Sequence, residues 1–484
     1  MKPLKELLYK VRIDAISGQT DLDIALIAFD SRSCSKGSLF VAIKGGVVDG
    51  HTHIASAIEN GAQAIVCQEM PKARKEEVTY IQVENAREAL AIMAANWYDH
   101  PSKSMKVVGV TGTNGKTSVT TMLHETVTGL GFQAGLISTI KICYGETVVQ
   151  ATHTTPDPLS IQFHLAQMRE QGMAFCFMEV SSHGIDQERH LGIEFAGAVF
   201  TNLSHDHLDY HKTFANYRDV KKRLFDALGS QAFALANSDD KNAKYMLQNT
   251  KGRPFFYGLK VFSDFKAQVL ETQFAGMQLR IEDRELYAPF HGAFNASNLL
   301  AVYAVCVLLD FDVEEVLVAL SQLKPVEGRF NLIKGSEGVH AIVDFAHTPD
   351  ALTNVYQAIE ELRTRNERLI TVVGCGGNRD QDKRPEMGKI AAQASDTVVF
   401  TSDNPRDEDP MAIIDQMNAG VAVEHTQKVL IQPDRYQAIK IAMRMAQPND
   451  IVLIAGKGHE RYQEIKGERF EFDDVKTVKE LINA

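Results

Sequence analysis

The sequence lacks the features of a secreted or membrane protein. Its six cysteines are scattered over 484 residues, and no two of them form a Cys-x-x-Cys pair. This spacing is typical of free thiols in a reducing compartment rather than of a disulfide framework. The N-terminus has no apolar signal-peptide segment, and no apolar run approaches the ~20 residues that a membrane-spanning helix needs. We therefore expect a cytoplasmic protein with no membrane partner.

The sequence also lacks the basic charge that broad nucleic-acid binding requires. It has 51 Lys and Arg against 62 Asp and Glu, a formal net charge of −11 at pH 7. A nucleic-acid-binding domain usually has a basic surface, so we expect no nucleic-acid partner. Anionic small substrates are still possible, because local basic loops can bind them.

Length and local pattern predict three α/β segments. At about 150 residues per domain, the length corresponds to roughly three domains. A predicted helix at 86–98 stops before Pro101, and another at 313–323 stops before Pro325. All segments alternate short β-branched runs with helical patterns, which indicates α/β folds. The boundaries give segments 1–103, 104–330 and 331–484.

The third segment has several buried-strand patterns, each followed at once by a polar or glycine-rich loop. Ligands bind beyond the carboxyl ends of the strands in an open parallel sheet, so these loops predict one binding surface. The strand patterns are 339–343, 369–373, 397–401 and 450–455, and the loops are 344–347, 374–379, 402–406 and 456–460.

A glycine-rich loop opens the middle segment, between a strand pattern at 106–110 and a helical pattern at 118–130. It reads Thr111-Gly112-Thr113-Asn114-Gly115-Lys116-Thr117. Backbone N–H groups and a helix N-terminus bind phosphate in this context, with Lys116 on the β- and γ-phosphates and Thr117 on Mg²⁺. The strict G-x-x-x-x-G-K pattern is not met, because position 110 is valine. An ordinary βα turn is the alternative, but the strand, the Gly-Lys-Thr sequence and the helix together favour nucleotide binding.

Two polar clusters follow further strand patterns of the middle segment. Glu179 comes after the pattern at 175–178, and His207 follows the one at 197–200. Both should lie near the phosphate loop, where they suit a Mg²⁺ site between nucleotide and substrate. The alternative is a hydrogen-bonded polar loop, which histidine-rich segments often form.

The helical pattern at 216–228 carries a lysine on its apolar face. At 100° per residue, Lys221 falls inside the apolar arc, whereas Lys222 falls well outside it and needs no special environment. A lysine on a buried face must be paired, be neutral or extend its ammonium to solvent. Burial lowers a lysine pKa, and a neutral amine can react with CO₂ to form a carbamate, a carboxylate-like metal ligand. Both the solvent-extended and the carbamate alternatives remain open here.

In order along nearly the whole chain, these motifs resemble the Mur ligase family. Besides the phosphate loop, the similarity includes Glu179-Val180-Ser181-Ser182-His183, Asp206-His207-Leu208-Asp209-Tyr210-His211, Tyr217-x-x-x-Lys221, His291-Gly292-x-Phe294-Asn295-x-x-Asn298, Glu327-Gly328-Arg329 and Asp344-x-Ala346-His347-Thr348-Pro349. The resemblance implies a three-domain α/β protein with a central P-loop-type domain and a C-terminal Rossmann-like domain. The first segment, with Asp30-Ser31-Arg32, resembles the nucleotide-sugar domain of the members that add the third amino acid.

The resemblance implies an ATP-dependent, amide-forming ligase of peptidoglycan precursor synthesis. ATP would phosphorylate the D-Glu carboxylate of UDP-MurNAc-L-Ala-D-Glu, and the amine of meso-diaminopimelate would attack the acyl phosphate. The implied cofactors are Mg²⁺ and an N6-carboxylysine at Lys221, and the implied state is a monomer.

The resemblance also implies a set of site residues by motif position. The catalytic residues would be Lys116, Glu179, His207 and Lys221. Thr117 and Glu179 would hold one Mg²⁺, and His207 and the Lys221 carbamate would hold the second. The ATP site would comprise Gly112, Thr113, Asn114, Gly115, Lys116, Thr117, Asn295, Arg329, Asp344 and His347. The UDP-MurNAc-dipeptide would contact Ser31, Thr154, Thr155, Ser181, Gln187 and Arg189.

The loop at 403–406 resembles the form that accepts meso-diaminopimelate. Its distal carboxylate suits an arginine fork, which Arg406 would supply with help from Arg379, while Glu460 would meet the distal ammonium. The rest of this pocket would be Asp403, Asn404 and Gly456. The structural alternative is that Arg406 merely pairs with Asp403 or Asp407 in a turn.

Two positions depart from the family pattern, and several other functions stay open. Phe345 stands where a tyrosine is expected, and Asn378 where an aspartate is expected. The alternatives are L-lysine as the added amino acid, a folylpolyglutamate or murein-peptide recycling ligase, a catalytically silent ATP-binding regulator, and a simple P-loop kinase or GTPase.

Overall fold

The chain folds into three α/β domains that follow one another along the sequence, and each is built on one main sheet. The computed structural model describes residues 1–45, 48–364 and 366–482. The predicted segments 1–103 and 331–484 therefore each include a few positions outside the described residues. Helices cover both faces of each sheet, as the alternating sequence pattern predicts. Among the described residues, no helix is both long and apolar enough to cross a membrane.

The first domain is built on a mostly parallel sheet. Its strands are β1 (Lys2–Pro3), β2 (Ala15–Ser17), β3 (Asp23–Ile24), β4 (Leu26–Ala28), β5 (Ser38–Val41), β6 (Ala62–Cys67) and β7 (Thr79–Gln82). Its α-helices are α1 (Leu4–Leu7), α2 (Ile54–Glu59) and α3 (Ala86–Trp97), and short 3₁₀ helices lie at Ser31–Ser33, Gly50–His53 and Pro101–Ser104. The strand order is β2-β7-β6-β5-β4, with β2 antiparallel to β7, and β1 pairs separately with β3.

The second domain holds the longest sheet. Its strands are β8 (Lys106–Thr111), β9 (Ala134–Ile137), β10 (Lys141–Tyr144), β11 (Thr147–Gln150), β12 (Phe175–Glu179), β13 (Phe195–Phe200), β14 (Phe233–Asn237), β15 (Arg253–Gly258), β16 (Phe265–Gln273), β17 (Gly276–Ile281) and β18 (Arg284–Ala288). Its helices are α4 (Lys116–Gly129), α5 (Pro158–Glu170), α6 (Ser182–Asp186), α7 (Leu208–His211), α8 (Phe214–Asp226), α9 (Ala243–Leu247), α10 (Ala293–Leu308) and α11 (Val313–Gln322).

The order of this sheet is β11-β10-β9-β12-β8-β13-β14-β15-β16-β17-β18. The strands from β9 to β16 in this order run parallel, and antiparallel hairpins extend both ends. One apolar core lies under α4, α10 and α11, and a second lies under α5, α8 and α9. The carboxyl ends of β12, β8 and β13 therefore meet at one edge between these layers.

The third domain is a second open α/β sheet. Its strands are β19 (Asn331–Lys334), β20 (His340–Asp344), β21 (Leu369–Val373), β22 (Thr397–Phe400), β23 (Val429–Ile431), β24 (Ile451–Ala455), β25 (Tyr462–Ile465) and β26 (Glu468–Glu471). Its α-helices are α12 (Pro349–Leu362), α13 (Lys383–Ala394), α14 (Pro410–Asn418), α15 (Arg435–Met445) and α16 (Asp474–Leu481), and a 3₁₀ helix lies at Val423–Lys428.

The strands of the third sheet lie in the order β19-β20-β24-β21-β22-β23, and all except β19 are parallel. The strand patterns of the sequence are confirmed as β20, β21, β22 and β24, with ends that differ by at most one residue. Strands β25 and β26 form a separate hairpin. Because β20, β24, β21 and β22 are neighbours, their following loops share one edge of the sheet, as expected.

A buried ion pair supports this edge from below. Arg435 and Asp474 are almost fully buried, and Arg435 Nη2 lies 2.7 Å from Asp474 Oδ2. The same guanidinium donates to the carbonyl oxygens of Ala455 (3.1 Å) and Ser402 (3.5 Å). These carbonyls end β24 and begin the loop after β22, so the pair fixes the starts of two site loops.

We expect Asp474→Ala to destabilise the third domain by about 3–5 kcal/mol, because it leaves a buried guanidinium without its counter-charge. Hydrogen–deuterium exchange of the β21 and β24 peptides measures this local free energy. The matched control is Lys476→Ala, which removes a solvent-exposed ion pair with Glu471 and should cost less than about 1 kcal/mol. Equal exchange in the two variants would contradict the structural role of Arg435.

Candidate active site

The phosphate loop joins the end of β8 to the start of α4, in the strand–loop–helix arrangement that the sequence predicted. Thr201, which follows β13, donates from Oγ1 to the carbonyl of Asn114 (2.6 Å). Lys116 Nζ donates to the loop carbonyls of Gly112 (3.0 Å) and Thr113 (2.8 Å). The loop is thus held from the neighbouring strand and closed by its own lysine. Burial lowers the pKa of Lys116, although the charges of Glu179 and Asp206 oppose this.

Glu179 lies beside this loop because β12 and β8 are adjacent parallel strands. Its carboxylate is buried and accepts hydrogen bonds from the backbone N (2.8 Å) and Oγ1 (3.1 Å) of Thr139. Thr139 lies in the turn between β9 and β10, and the sequence analysis did not identify it. The two bonds orient the carboxylate without neutralising its charge, so Glu179 keeps the capacity to bind a cation.

His207 lies on the other side of the loop, after β13, in a left-handed backbone conformation (φ 55°). Its Nε2 is 3.3 Å from Asp206 Oδ2. Burial lowers the pKa of His207 to about 3, against the charge of Asp206, so the imidazole is neutral at pH 7. Asp206 is buried, which opposes ionisation, but the charges of His207, Lys383 and others hold its pKa well below the usual range. Asp206 was visible in the sequence motif, yet only its histidine neighbour was assigned.

Lys221 is buried, as its place in the apolar arc predicts, and its side chain is 1% exposed. Its Nζ donates to the carbonyl of Gly112 (2.7 Å) and lies 4.8 Å from the centre of the Tyr217 ring. The solvent-extended alternative is therefore wrong. Burial, followed by the charge of Lys116, lowers the pKa of Lys221 well below the usual range. The lowered pKa favours the neutral amine, which is the form that carbamate formation requires.

The expectation for Lys222 is wrong. This lysine is also buried, and its ammonium pairs with Asp226 one turn further along α8. The ring of Tyr245, on α9, lies 5.9 Å from its Nζ. The single-helix projection places Lys222 outside the apolar arc, but α9 packs on that second face of α8 and excludes water from it.

The residues beside the phosphate loop suit a hydrated Mg²⁺ ion better than a closed metal cage. Within residues 1–45, 48–364 and 366–482, no group of three His, Cys, Asp or Glu side chains is placed to hold a metal. Magnesium commonly binds through one or two carboxylates and takes its remaining ligands from water and phosphate oxygens. Glu179 and the hydroxyl of Thr117 fit this pattern, since Thr117 is buried at the start of α4.

Arg329, at the end of the second segment, contacts the start of α4 directly after the phosphate loop, and Asp344 and His347 follow it in the third. Arg329 Nη2 donates to Thr117 Oγ1 (3.2 Å), and its guanidinium lies 4.5 Å from the centre of the Phe345 ring. Phe345 thus contacts Arg329 without the hydroxyl of the expected tyrosine. Burial raises the pKa of Asp344, whose carboxylate accepts the backbone N–H groups of Phe330 and Ala346. Burial also lowers the pKa of His347 to about 4.

Asn295 contacts the loop only through a second asparagine. Its Nδ2 donates to the carbonyl of His291 (3.0 Å), and its Oδ1 accepts from Asn298 (3.3 Å). Asn298 is the residue that reaches the phosphate loop, because a Cβ added at Gly115 would lie 2.7 Å from its Oδ1. Gly115 also has φ +86°, a conformation that favours glycine.

Most residues expected to bind the sugar-nucleotide dipeptide form a network with Glu179. Thr155 Oγ1 donates to the carbonyl of Glu179 (2.9 Å) and to Ser181 Oγ (3.1 Å). Arg189 donates to the carbonyl of Thr155 (2.6 Å) and to Gln187 (2.7 Å). Thr154 joins through Thr139 (3.1 Å). Ser31 lies in the first domain, where its carbonyl accepts from Asn60 (2.9 Å).

The expected amino-acid pocket contains a buried lysine that the sequence analysis left unassigned. Lys457 Nζ donates to Asn404 Oδ1 (3.0 Å) and to Glu460 Oε2 (3.0 Å). Asn404 Nδ2 donates to the same glutamate oxygen (2.8 Å). One oxygen of Glu460 is therefore already occupied. Gly456 has φ +118°, a conformation that favours glycine, and an added Cβ would lie 2.6 Å from Asp403 Oδ2.

Arg406 does not form either of the ion pairs considered from sequence. Its Nε lies 3.3 Å from Glu464 Oε2, and its Nη1 donates to the carbonyl of Gly377 (2.7 Å). Asp403 instead accepts the backbone N–H of Asn404, and Asp407 accepts from Asn378 Nδ2. The turn alternative is wrong because those carboxylates already have other partners. Burial lowers the pKa of His183, and the charge of Arg379, exposed on the neighbouring loop, lowers it further.

Polar contacts near the phosphate loop connect the second and third domains. His205 Nε2 lies 2.8 Å from Asp380 Oδ2, and Asn114 Nδ2 donates to Asp350 Oδ2 (2.9 Å). The buried ammonium of Lys383 is 3.9 Å from Asp206 Oδ1. The starts of α12 and α13 and the loop before α13 therefore lie against the edge that bears the phosphate loop.

The chain belongs to the Mur ligase family. The model "Mur ligase family, catalytic domain" matches residues 23–98, "Mur ligase middle domain" matches 110–306, and "Mur ligase, glutamate ligase domain" matches 328–458. These matches agree with the fold and with the ordered motifs.

Individual relatives carry a more specific name. The chain is 50% identical to the UDP-N-acetylmuramoyl-L-alanyl-D-glutamate–2,6-diaminopimelate ligase of Cytophaga hutchinsonii, over 99% of each chain. It is 48% identical to the enzyme of that name from Bacteroides fragilis, again over 99% of each. A solved structure of a ligase with this name is 31% identical, covers 100% of this chain and 99% of its own, and has a TM-score of 0.70.

We expect Gly115→Ala to weaken binding of MgATP at least about tenfold. The new Cβ would disfavour the positive φ and displace Asn298, and both effects move the phosphate-binding amides. Isothermal titration calorimetry measures the affinity. Gly129→Ala, at the open end of the same helix, is the control and should bind as the wild type does, since nothing lies within 4 Å of its added Cβ. Equal affinities would show that the loop does not hold the phosphates.

Proposed function

We propose that the protein uses ATP to join meso-diaminopimelate to the D-Glu carboxylate of UDP-MurNAc-L-Ala-D-Glu, a step of peptidoglycan precursor synthesis. The observation that carries this proposal is the pair of contacts His205–Asp380 and Lys383–Asp206, which hold the third domain against the edge that bears the phosphate loop. A ligase of this type must bring a nucleotide, an acid and an amine together. The names of the full-length relatives support the same reaction.

The three segments divide this work. Residues 1–103 hold the sugar nucleotide, residues 104–330 hold ATP and the reacting carboxylate, and residues 331–484 hold the amino acid. Ser31 lies in the first of these segments, and the Thr155–Ser181–Arg189 network in the second. That network connects directly to Glu179, so the dipeptide carboxylate would end beside the phosphates.

Phosphoryl transfer is assigned to the edge formed by β12, β8 and β13. Lys116 stabilises the charge of the moving phosphoryl group, and Arg329, at the end of the second segment, neutralises the phosphates. Bound Mg²⁺, held by Thr117 and Glu179 and by His207 with a Lys221 carbamate, would neutralise further charge. The γ-phosphoryl group passes to the D-Glu carboxylate oxygen, and ADP leaves.

The amino-acid loops then present the amine to the acyl phosphate. Its nitrogen attacks the acyl carbon, a tetrahedral intermediate forms, and inorganic phosphate leaves as the new amide nitrogen loses a proton. Arg406, with Arg379, binds the distal carboxylate, while Glu460 and Asn404 complete the pocket. L-Lysine lacks that carboxylate, so it would leave the guanidinium without its partner.

The direct test is phosphate release by the purified protein with ATP, Mg²⁺ and UDP-MurNAc-L-Ala-D-Glu. We expect turnover with meso-diaminopimelate and none with L-lysine or without an amino acid. Turnover only with lysine would retain the ligase and reject the role of Arg406. No turnover in any mixture would favour another ligase of the family or a silent nucleotide-binding protein.

We expect Lys221→Ala to lower kcat roughly 10²–10³-fold by removing the proposed carbamate ligand. Formate or acetate should partly restore turnover, because either can replace the missing carboxylate. Lys222→Ala is the control: it removes the neighbouring buried lysine, whose partner is Asp226, and should leave kcat near the wild-type value. Full activity of Lys221→Ala would reject the carbamate.

A further inference from the structure

The hairpin of β25 and β26 lies directly against the loop that carries Arg406. The backbone N–H of Arg406 donates to the carbonyl of Glu464 (3.0 Å), and the N–H of Lys466 donates to the carbonyl of Arg406 (2.8 Å). Gln463 Nε2 donates to the carbonyl of Asp403 (2.7 Å). No motif in the sequence analysis included this hairpin. Its contacts hold the Arg406 loop in place from outside the sheet.

These contacts hold an unfavourable backbone conformation. Arg406 has φ 51°, in the left-handed region that a non-glycine residue adopts only at a cost. The two backbone hydrogen bonds to the hairpin fix this conformation. The guanidinium is thereby directed toward Gly377 on one side and Glu464 on the other. Backbone strain that the surrounding contacts maintain is common at ligand-binding sites.

The carboxylate of Glu464 is fixed relative to the pocket. Its own backbone N–H donates to Asn404 Oδ1 (2.9 Å), and its Oε2 lies 3.3 Å from Arg406 Nε. Both side chains of the ion pair are mostly buried, at 21% and 26% exposed. Within the described part of the chain, the contacts of the Arg406 guanidinium use Nε and one N–H of Nη1, which leaves Nη2 and the second N–H of Nη1 for a substrate carboxylate.

We propose that Glu464 is a specificity-determining residue that binds the distal ammonium of the incoming amino acid, while Arg406 binds the distal carboxylate. This inference rests on the proposed function. In diaminopimelate the two distal groups share one carbon, so a carboxylate on Arg406 brings its ammonium to the neighbouring Glu464. The Arg406–Glu464 pair thus matches a zwitterion, one charge against each group.

The position of Glu460 supports this second acidic contact. One of its oxygens already accepts from both Lys457 and Asn404. The ammonium of Lys457 therefore weakens the attraction between the Glu460 carboxylate and an incoming cation. Glu464 faces a guanidinium that the substrate's own carboxylate will neutralise, so its charge becomes available when that carboxylate binds.

The test compares amino acids that carry one distal charge or both. 2-Aminoheptanedioate keeps the distal carboxylate and lacks the ammonium, whereas meso-diaminopimelate has both. We would measure KM, or the inhibition constant where turnover is too slow, for the wild type and Glu464→Gln. Glutamine keeps the shape and can still accept from Arg406 Nε, but it has no charge for the ammonium.

We expect Glu464→Gln to reduce the preference for meso-diaminopimelate over 2-aminoheptanedioate about tenfold, the value of one lost ion pair. The change should fall on KM for the amino acid and leave KM for ATP unaltered. Glu468→Gln, an exposed carboxylate on the same hairpin, should keep the wild-type preference.

An unchanged preference would overturn the inference, whichever way the separate constants move. Equal gains for both amino acids would mean that Glu464 only competes for Arg406, and equal losses would mean that it only supports the loop. Absence of wild-type turnover with meso-diaminopimelate would instead reject the proposed function, and the inference with it. The wild-type reaction therefore distinguishes the two failures.

Discussion

The adjacency of the parallel strands β12, β8 and β13 is the constraint on which the site depends. Each strand ends in a polar segment, and their shared direction brings Glu179, the phosphate loop and His207 to one edge. The loop is held in turn by Thr201, which also follows β13. A change in this strand order would separate groups that lie far apart in the chain.

Several cationic side chains of the described residues lie around that edge and donate hydrogen bonds to neutral oxygens rather than to carboxylates. Among the described residues, Lys221 donates to a carbonyl, Lys116 donates to loop carbonyls, and Arg329 donates to a hydroxyl. Burial is the largest cause of the lowered pKa of each of these groups. Such a site has the electrostatic character to receive polyanions, because phosphates and carboxylates would neutralise these buried cations.

The third domain also has charged side chains at its site, but these form ion pairs with one another. Lys457 is paired with Glu460, and Arg406 is paired with Glu464. Beneath them, the buried pair of Arg435 and Asp474 fixes the starts of two of the loops. Paired, pre-positioned charges suit a zwitterionic ligand, whereas the cations of the second domain, which donate to neutral oxygens, suit an anionic one.

Local pattern was sufficient for the strands, the phosphate loop and the burial of Lys221, because each depends on residues close together in the chain. Periodicity alone placed Lys221 on the covered face of α8. The same projection was wrong for Lys222, since it cannot show that α9 covers a second face. The roles of Asn295 and Asp206 were equally hard to judge, because Asn298 and Lys383 define their surroundings.

The sequence by itself determined the α/β class, the family and the order of the motifs, because each of these depends on short contiguous segments of the chain. Only the tertiary structure decided which charges meet. The partner of Arg406 proved to be Glu464, on a hairpin that no motif marked, and Asp206 meets Lys383 from another domain. Ion pairs of this kind depend on the distances between segments far apart in the chain, and a local sequence pattern does not predict those distances.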